Sequence, residues 1–357
     1  MRVVHYYRAA ARDRSGVTAA IGLWEHVANV SGCESIVLHD HVDQPQSHFK
    51  SSHPVPHIGH RRQTAAPLLR KHIGRGDILV LHEGWGLSNL IAAITARAKR
   101  VPYVLMPHGV YEPAMVAGLR HPRRFRMAIE GWLIRGAAAT HLFYASEQPL
   151  VASLAVAKTW VLPTPFEAGK GRWRGGGGYI GWFGRYATDH KGLDLLVQGL
   201  ALVDEDRRPH VRLRGYDYEG DQHRLQALVN SLGLTDFVEV GSRVDGDEKL
   251  QFIAEADAYV HPSRWECHSI ALLEVLSAGT PCLVSSSIHI AQPLGEDGAA
   301  ILVEPTAEAW ADALVKVAEF DFADVGRSSH AFLQSHFNEE RIASTYRSLL
   351  QSIGRRT

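Results

Sequence analysis

Near its start the chain has a short apolar run, Val3-Val4-His5-Tyr6-Tyr7, which reads as a buried strand. A turn at Ser15-Gly16 follows, and then apolar positions at helical spacing through Ala19–Val30. The same rhythm continues. Ser35–Leu38, Ile78–His82, Tyr103–Met106 and Ala139–Phe143 have strand length and composition, with helical stretches such as Leu87–Arg100 between them. The rhythm stops at Pro163-Thr164-Pro165 and at Gly169–Gly178, where four consecutive glycines predict a linker. It then restarts. Strands are predicted at Tyr179–Phe183, His210–Arg214, Phe237–Val240, Ala258–His261 and Pro281–Ser285, and helices at Leu193–Val203, Asp221–Leu232, Lys249–Ala256 and Ile270–Ala278. A last helix is predicted over Glu339–Ile353, with Ile342, Tyr346, Leu349, Leu350 and Ile353 on one face.

Strand alternating with helix predicts an α/β protein with parallel sheets covered on both faces. The break divides it into two doubly wound, Rossmann-like domains, residues 1–165 and 175–335. Ligands of such sheets bind beyond the carboxyl ends of the strands, so a central cleft faced by both domains is the expected site.

The bulk numbers narrow the class. A chain of 357 residues with 45% hydrophobic and 21% charged residues is globular. It has no apolar run of the ~18 residues that cross a bilayer. The first sixteen residues go from a short apolar run straight into charge, so they are expected to belong to the mature protein. Cys33, Cys267 and Cys282 suggest neither a disulfide framework nor a zinc site, which points to a cytoplasmic setting. The net charge of zero hides an asymmetry. Residues 1–163 hold 19 Lys+Arg and 10 Asp+Glu, a balance of +9, and the remainder holds 19 and 28, a balance of −9. The basic half suits an anionic acceptor, a membrane surface or nucleic acid; composition drift and attraction between the halves explain the same numbers. Within it, the run Arg120 to Arg126, followed by Ile129, Trp132, Leu133 and Ile134, reads either as a basic amphipathic surface for peripheral membrane contact or as a solvated helix start packed on its domain. His53, His57 and His60 are interleaved with prolines and have no acidic partner, which favours a loop over a metal site. The remaining histidines look scattered.

Several phosphate signatures are missing. There is no P-loop motif, the four glycines precede a strand instead of following one, and Gly16 lacks a three-glycine fingerprint. The second half carries other chemistry. Gly181-Trp-Phe-Gly184-Arg185 is expected to leave its first strand, and Asp189-His190-Lys191-Gly192 precedes a helix. Together they place a guanidinium and an ammonium where a diphosphate could sit. Further on, the segment from His261 to Pro281 reads strand, loop, helix, glycine stop, strand. Glu266 falls in the loop and Glu274 in an otherwise apolar helix, and the amides near His268, Ser269 and Ile270 open that helix. A carboxylate in such a helix calls for a partner, and a ribose diol would be one.

The order Gly184-Arg185, Lys191-Gly192, Pro262-Ser263, Glu266-x7-Glu274 and Ala278-Gly279-x-Pro281 resembles the donor lobe of the GT4 family of retaining glycosyltransferases with the GT-B fold. Pro102 to Gly109 resembles the strand end that carries the family's cleft histidine, and Ser15-Gly16 its first glycine loop. The resemblance implies a donor that is a UDP- or GDP-type nucleoside-diphosphate sugar, and no metal or other cofactor. It implies that Arg185 and Lys191 neutralise the diphosphate with the amides of Ser269 and Ile270, that Glu274 binds the ribose, and that Glu266 contacts the transferred sugar. It also implies that His108 sits at the reacting sugar, that Gly16 permits close approach to the phosphates, and that the helix 337–357 returns to the first domain. Front-face attack with retention, onto a glycan, lipid-linked or small-molecule acceptor, follows from the same resemblance; no nucleic acid is expected. One departure stands out. Cys267 and His268 occupy places where the family often has glycine and an aromatic residue, so His268 joins the expected donor contacts in an unusual form. The rival readings are a nucleotide-sugar epimerase of the same fold and a non-catalytic nucleotide-sugar-binding protein.

Overall fold

The computed structural model describes residues 1–9, 16–40, 52–54, 66–119, 123–166, 172–317 and 323–354. Ser15, His57, His60, Arg120 and Gly169 lie outside them, and of His53 only the backbone is described. The chain divides into two compact units. One is Met1–Pro165 with Asn338–Thr357, and the other is Phe166–Phe337.

Among the described residues, the first unit has seven parallel strands: β1 (Arg2–Tyr6), β2 (Glu34–His39), β3 (Ser52–Pro54), β4 (Asp77–His82), β5 (Tyr103–Met106), β6 (Ala139–Leu142) and β7 (Thr159–Val161). Their order is β3-β2-β1-β4-β5-β6-β7. The second unit has β8 (Ile180–Tyr186), β9 (Val211–Asp217), β10 (Val238–Ser242), β11 (Ala258–His261), β12 (Cys282–Ser285) and β13 (Ile301–Val303), in the order β10-β9-β8-β11-β12-β13. Each sheet winds outward from its first strand and then restarts on that strand's other side, the doubly wound order.

Period-two alternation gives each strand of the first sheet two destinations. Val4, Tyr6, Leu79, Leu81, Tyr103 and Leu105 enter a core with Ala92, Ala93 and Ala96 of the helix Leu87–Ala98 and with Leu133 and Ile134 of the helix Arg123–Gly136. The opposite parity holds Val3, His5, Val80, His82 and Met106, all buried. On that side Trp24 of the helix Gly16–Val30 and Tyr346 of the helix Glu339–Gly354 meet His141 of β6, at ring distances of 4.6 and 6.2 Å.

The structure adds elements that were not foreseen, corrects two expectations and decides one reading that the sequence left open. β3, β7 and β13 carry no readable pattern because three residues cannot show a period, and the helices Ala307–Lys316 and Ala323–His336 were also unforeseen. Gly184 and Arg185 do not leave the strand. β8 continues to Tyr186, paired residue by residue with β9, and a Cβ on Gly215 would strike the Gly184 carbonyl. The glycine run 175–178 is not a loose linker. Gly176 N–H donates to Asp257 at 2.7 Å, Gly177 N–H to the Glu255 carbonyl at 2.9 Å, and Trp173 Nε1–H to the Ala256 carbonyl at 2.8 Å. Positive φ at Gly175, Gly176 and Gly178 makes this a turn that other residues enter only with strain. Finally, the apolar stripe behind the basic run faces inward. Leu133 and Ile134 are buried, and Ile129 and Trp132 pack against the same core. What the helix Arg123–Gly136 shows to solvent is Arg123, Arg124, Phe125, Ala128 and Arg135, with Phe125 64% exposed.

The three cysteines are free and buried. Among the described residues no helix is long and apolar enough to cross a membrane, and no group of three or more His, Cys, Asp or Glu could hold a metal ion.

Candidate active site

In the second unit the end of β8, the short helix Thr188–Lys191 and the loop after β11 come together. The joint depends on Gly192. Its φ of 63° is left-handed, and a Cβ there would collide with the Pro262 carbonyl, so only glycine lets the two segments meet. Arg264 ties the loop down further, with a bidentate pair to Asp194 at 2.6 and 2.7 Å and a backbone bond to the His190 carbonyl.

At the centre Lys191 Nζ donates to Glu266 Oε2, with side chains only 14% and 13% exposed. His261 and His190 stand 3.9 and 4.0 Å from the same oxygen. Burial alone would raise the Glu266 carboxyl, but Lys191, then His190 and His261, outweigh it and hold it at about 2. Burial pushes the imidazoles the other way, His190 to about 4 and His261 to about 3. The cluster is therefore one buried ammonium–carboxylate pair flanked by neutral rings, an arrangement stable only while the pair stays matched. His190 lies flat on Trp265, 4.7 Å between centroids, and its Nε2 is 3.0 Å from the Trp265 carbonyl. Arg185 sits over the Tyr218 ring at 4.3 Å.

The helix Ile270–Ala278 begins at Ser269, whose Oγ accepts from Leu272 N–H at 3.3 Å. Helix geometry leaves the amides of Ile270 and Ala271 without intrahelical acceptors. His268, just before, is half-buried with both ring nitrogens screened from solvent, and desolvation holds it down at about 4 against the pull of Glu266. Glu274 differs from its expected setting. It is 28% exposed, and its Oε1 accepts from Lys249 Nζ at 2.6 Å, so its partner within the chain is an ammonium on the helix Gly246–Glu255. The unpaired-carboxylate reasoning that suggested a ribose at Glu274 is thus corrected.

The first unit holds a second cluster. His5 faces the same side of the sheet as Val80, its partner across the β1–β4 pair, and His82 is two residues beyond Val80. Met106 is the partner of His82 across β4–β5, and His108 is two residues beyond Met106. Register thus sets the three imidazoles along one diagonal. His5 Nδ1 is 2.9 Å from His82 Nε2, and His82 Nδ1 is 2.8 Å from His108 Nε2. Burial lowers His5 to about 3 and His82 well below the usual histidine range, and it lowers His141 to about 4.

Backbone strain concentrates here. His108, Glu83 and Trp85 have φ of 54°, 61° and 61° without being glycine, at the ends of β5 and β4. Buried Glu130 anchors the loop, accepting from Trp85 N–H at 2.9 Å and from the Tyr111 hydroxyl at 2.7 Å, and burial raises its carboxyl. Gly16 opens its helix, and a Cβ there would meet none of the described residues within 4 Å, so their packing gives no reason for glycine at that place.

The structure therefore gathers Lys191, Glu266, His268 and Ser269–Ile270, with Arg185 and Glu274 carried on β8 and on the same helix; Gly16 and His108 belong to the other unit. Sequence reasoning missed His190, His261, Lys249, His5 and His82. His190 and His261 lay inside quoted motifs, whereas Lys249, His5 and His82 reach their partners only through the tertiary fold.

Residues 177–319 match the family model described as Glycosyl transferases group 1. The mannosylfructose-phosphate synthase of Agrobacterium fabrum is 31% identical over 29% of this chain, a stretch that spans 24% of that protein. The GDP-mannose:cellobiosyl-diphosphopolyprenol alpha-mannosyltransferase of Xanthomonas oryzae pv. oryzae is 23% identical over 97% of this chain and 95% of its own. The solved structure of HepE from Anabaena in complex with UDP-glucose superposes with a TM-score of 0.78, covering 99% of this chain and 100% of that one at 16% identity. The shared architecture is GT-B.

Proposed function

On the premise that this chain belongs to the group 1, GT4-type glycosyltransferases, we propose that it moves a hexose from a nucleoside-diphosphate sugar to an acceptor hydroxyl with retention of configuration. The observation that carries this reading is the Lys191–Glu266 pair, 14% and 13% exposed, in the segment that leads into the helix Ile270–Ala278, whose first amides have no intrahelical acceptors. An arriving diphosphate competes with Glu266 for the ammonium, and Arg185 and the helix amides add fixed positive charge. Such groups favour the departing diphosphate more than the bound donor, which lowers the barrier without a divalent metal. Glu266, once released, is free to accept from hydroxyls of the transferred sugar. Glu274 accepts from the ribose alongside Lys249, and His108 contacts the reacting sugar.

Both relatives named above carry mannosyl in their names, and HepE was solved with UDP-glucose, so GDP-mannose and UDP-glucose are the first donors to try. The acceptor proposed is a glycan, lipid-linked or small-molecule hydroxyl. Arg123, Arg124 and Phe125 offer a basic patch for peripheral contact with an anionic surface at the cytoplasmic side. The test is a thermal-shift screen of nucleotide-sugars and free nucleotides, followed by NMR of the anomeric product with the donor that stabilises most. A retained anomeric centre and undiminished turnover in chelator agree with the reading; inversion or chelator-sensitive turnover contradicts it.

A further inference from the structure

The three imidazoles of the first unit form a directional chain. A neutral imidazole has one N–H donor and one bare acceptor nitrogen, and both nitrogens of His82 are engaged, one toward His5 and one toward His108. Fixing the direction at either end therefore fixes all three tautomers. Two directions exist. In one, protons point from His5 toward His108, and the far nitrogen of His5, Nε2, is a bare lone pair. In the other, His108 Nε2–H donates inward, and His5 must carry its proton on Nε2.

His5 decides between them. It is fully buried, and its Nε2 has no hydrogen-bond partner among the described residues. A buried orphan N–H is rarer than a buried orphan acceptor, because a strong donor stripped of water loses more. The neighbouring ring agrees. His141 places Nε2 at 2.8 Å from the Leu162 carbonyl, which can only accept, so its proton is on Nε2 and its Nδ1 is bare. That bare Nδ1 also has no partner among the described residues. That nitrogen and His5 Nε2 are not bonded to one another, so no described residue accepts from a proton placed on His5 Nε2. Burial keeps His5 and His82 neutral at ordinary pH, so neither of these two rings donates from both nitrogens.

We propose that His5 and His82 are positioning residues that lock His108 as its Nδ1–H tautomer, making His108 a hydrogen-bond donor toward an oxygen of the transferred sugar and withholding it from service as a general base at Nε2. This rests on the reading that His108 contacts the donor sugar. Within it, the acceptor proton needs another destination, and the departing diphosphate oxygen is the one the proposed reaction supplies: the acceptor hydroxyl loses its proton to that oxygen as the new glycosidic bond forms and the sugar–phosphate bond breaks.

The test is long-range proton–nitrogen NMR on histidine-labelled protein, unliganded, with His108 assigned through His108→Gln. The expected spectrum has a pyrrole-type Nδ1 and a pyridine-type Nε2 on His108; the opposite assignment in the unaltered protein overturns the proposal without need of further variants. His82→Phe should abolish that preference, whereas His82→Asn keeps a donor at the position of Nδ1 and should preserve it. A preference unchanged in a folded His82→Phe also overturns the proposal. Turnover is read in parallel. His82→Phe should lower kcat by roughly 10- to 100-fold, the scale of a misaligned catalytic group, with KM little changed and most of kcat regained in His82→Asn. If the tautomer shifts as expected and kcat does not move, the locked tautomer stands and the reading that fails is the place of His108 at the sugar.

Discussion

The two clusters lie at the carboxyl ends of equivalent strands, yet they solve burial in opposite ways. In the second unit a full charge pair, Lys191 and Glu266, is kept buried by mutual attraction, and neutral histidines pack around it. In the first unit's cluster burial keeps His5 and His82 neutral, and His5, His82 and His108 hydrogen-bond to one another. A charge pair can be re-partitioned by an incoming anion, since one partner gains what the other loses. A neutral chain offers no such exchange and instead transmits orientation. The difference gives the second unit's cluster adaptable electrostatics and the first unit's cluster fixed geometry.

The largest test of that contrast is removal of one member of the pair. Lys191→Ala should cut turnover by roughly 100-fold or more, as expected when a group poised for developing charge is lost. It should also destabilise the fold by about 3 kcal/mol, because Glu266 is left buried and unmatched. The double variant Lys191→Met with Glu266→Gln should recover most of the melting temperature and none of the turnover. Recovery of both would mean that the pair is structural only.

Gly192→Ala comes next. A Cβ facing the Pro262 carbonyl at positive φ should cost roughly 1–3 kcal/mol and loosen Lys191 from Glu266. A denaturation midpoint equal to the unaltered protein's would show that the joint yields more easily than its geometry suggests.

Acid should separate the buried imidazoles of both clusters from the Glu266 carboxylate. His5, His141, His190, His261 and His268 have native values of about 3 to 4 against an ordinary 6.5. The unfolded chain therefore binds protons that the native one refuses, and stability is full above 6.5 and falls as pH drops toward 4. Glu266 has its native value lowered from 4.5 to about 2, so its contribution is present above 4.5 and lost only below it. His5→Phe should lessen the slope of melting temperature against pH between 6.5 and 4, with the other four histidines keeping the rest, whereas Glu266→Gln should alter the slope below 4.5. Equal slopes in all three proteins would contradict this separation.

The smallest effect is expected at Lys249→Ala. With side chains 25% and 28% exposed, its pair with Glu274 is worth under about 1 kcal/mol to the fold. Donor affinity should fall by only a few-fold, less than in Glu274→Ala, and calorimetry on both variants ranks them.

The contrast also shows what a sequence displays. The fold class, the strands Tyr103–Met106 and Ala258–His261 and the helix Ile270–Ala278 were legible because each has enough length to show its period. The three-residue strands were not. Lys191, Glu266 and Glu274 were legible because they recur at local spacing, one loop and one helix turn from glycines and prolines that mark element ends. His5, His82 and His108 are 77 and 26 residues apart. Only parallel register, two residues further at each step, brings them together, and no local pattern encodes register. Lys249 escaped for the same reason. Glu274 was seen as a carboxylate in need of a partner, and the partner was 25 residues away on another helix.

The central claim is that the Lys191–Glu266 pair opens to receive a nucleoside diphosphate. Titration calorimetry of GDP-mannose and UDP-glucose into the unaltered protein and Lys191→Ala tests it most directly. At least one donor should bind the unaltered protein and bind Lys191→Ala at least about tenfold more weakly, the worth of one charged hydrogen bond. Equal affinity in the two proteins would contradict the claim and place the diphosphate elsewhere.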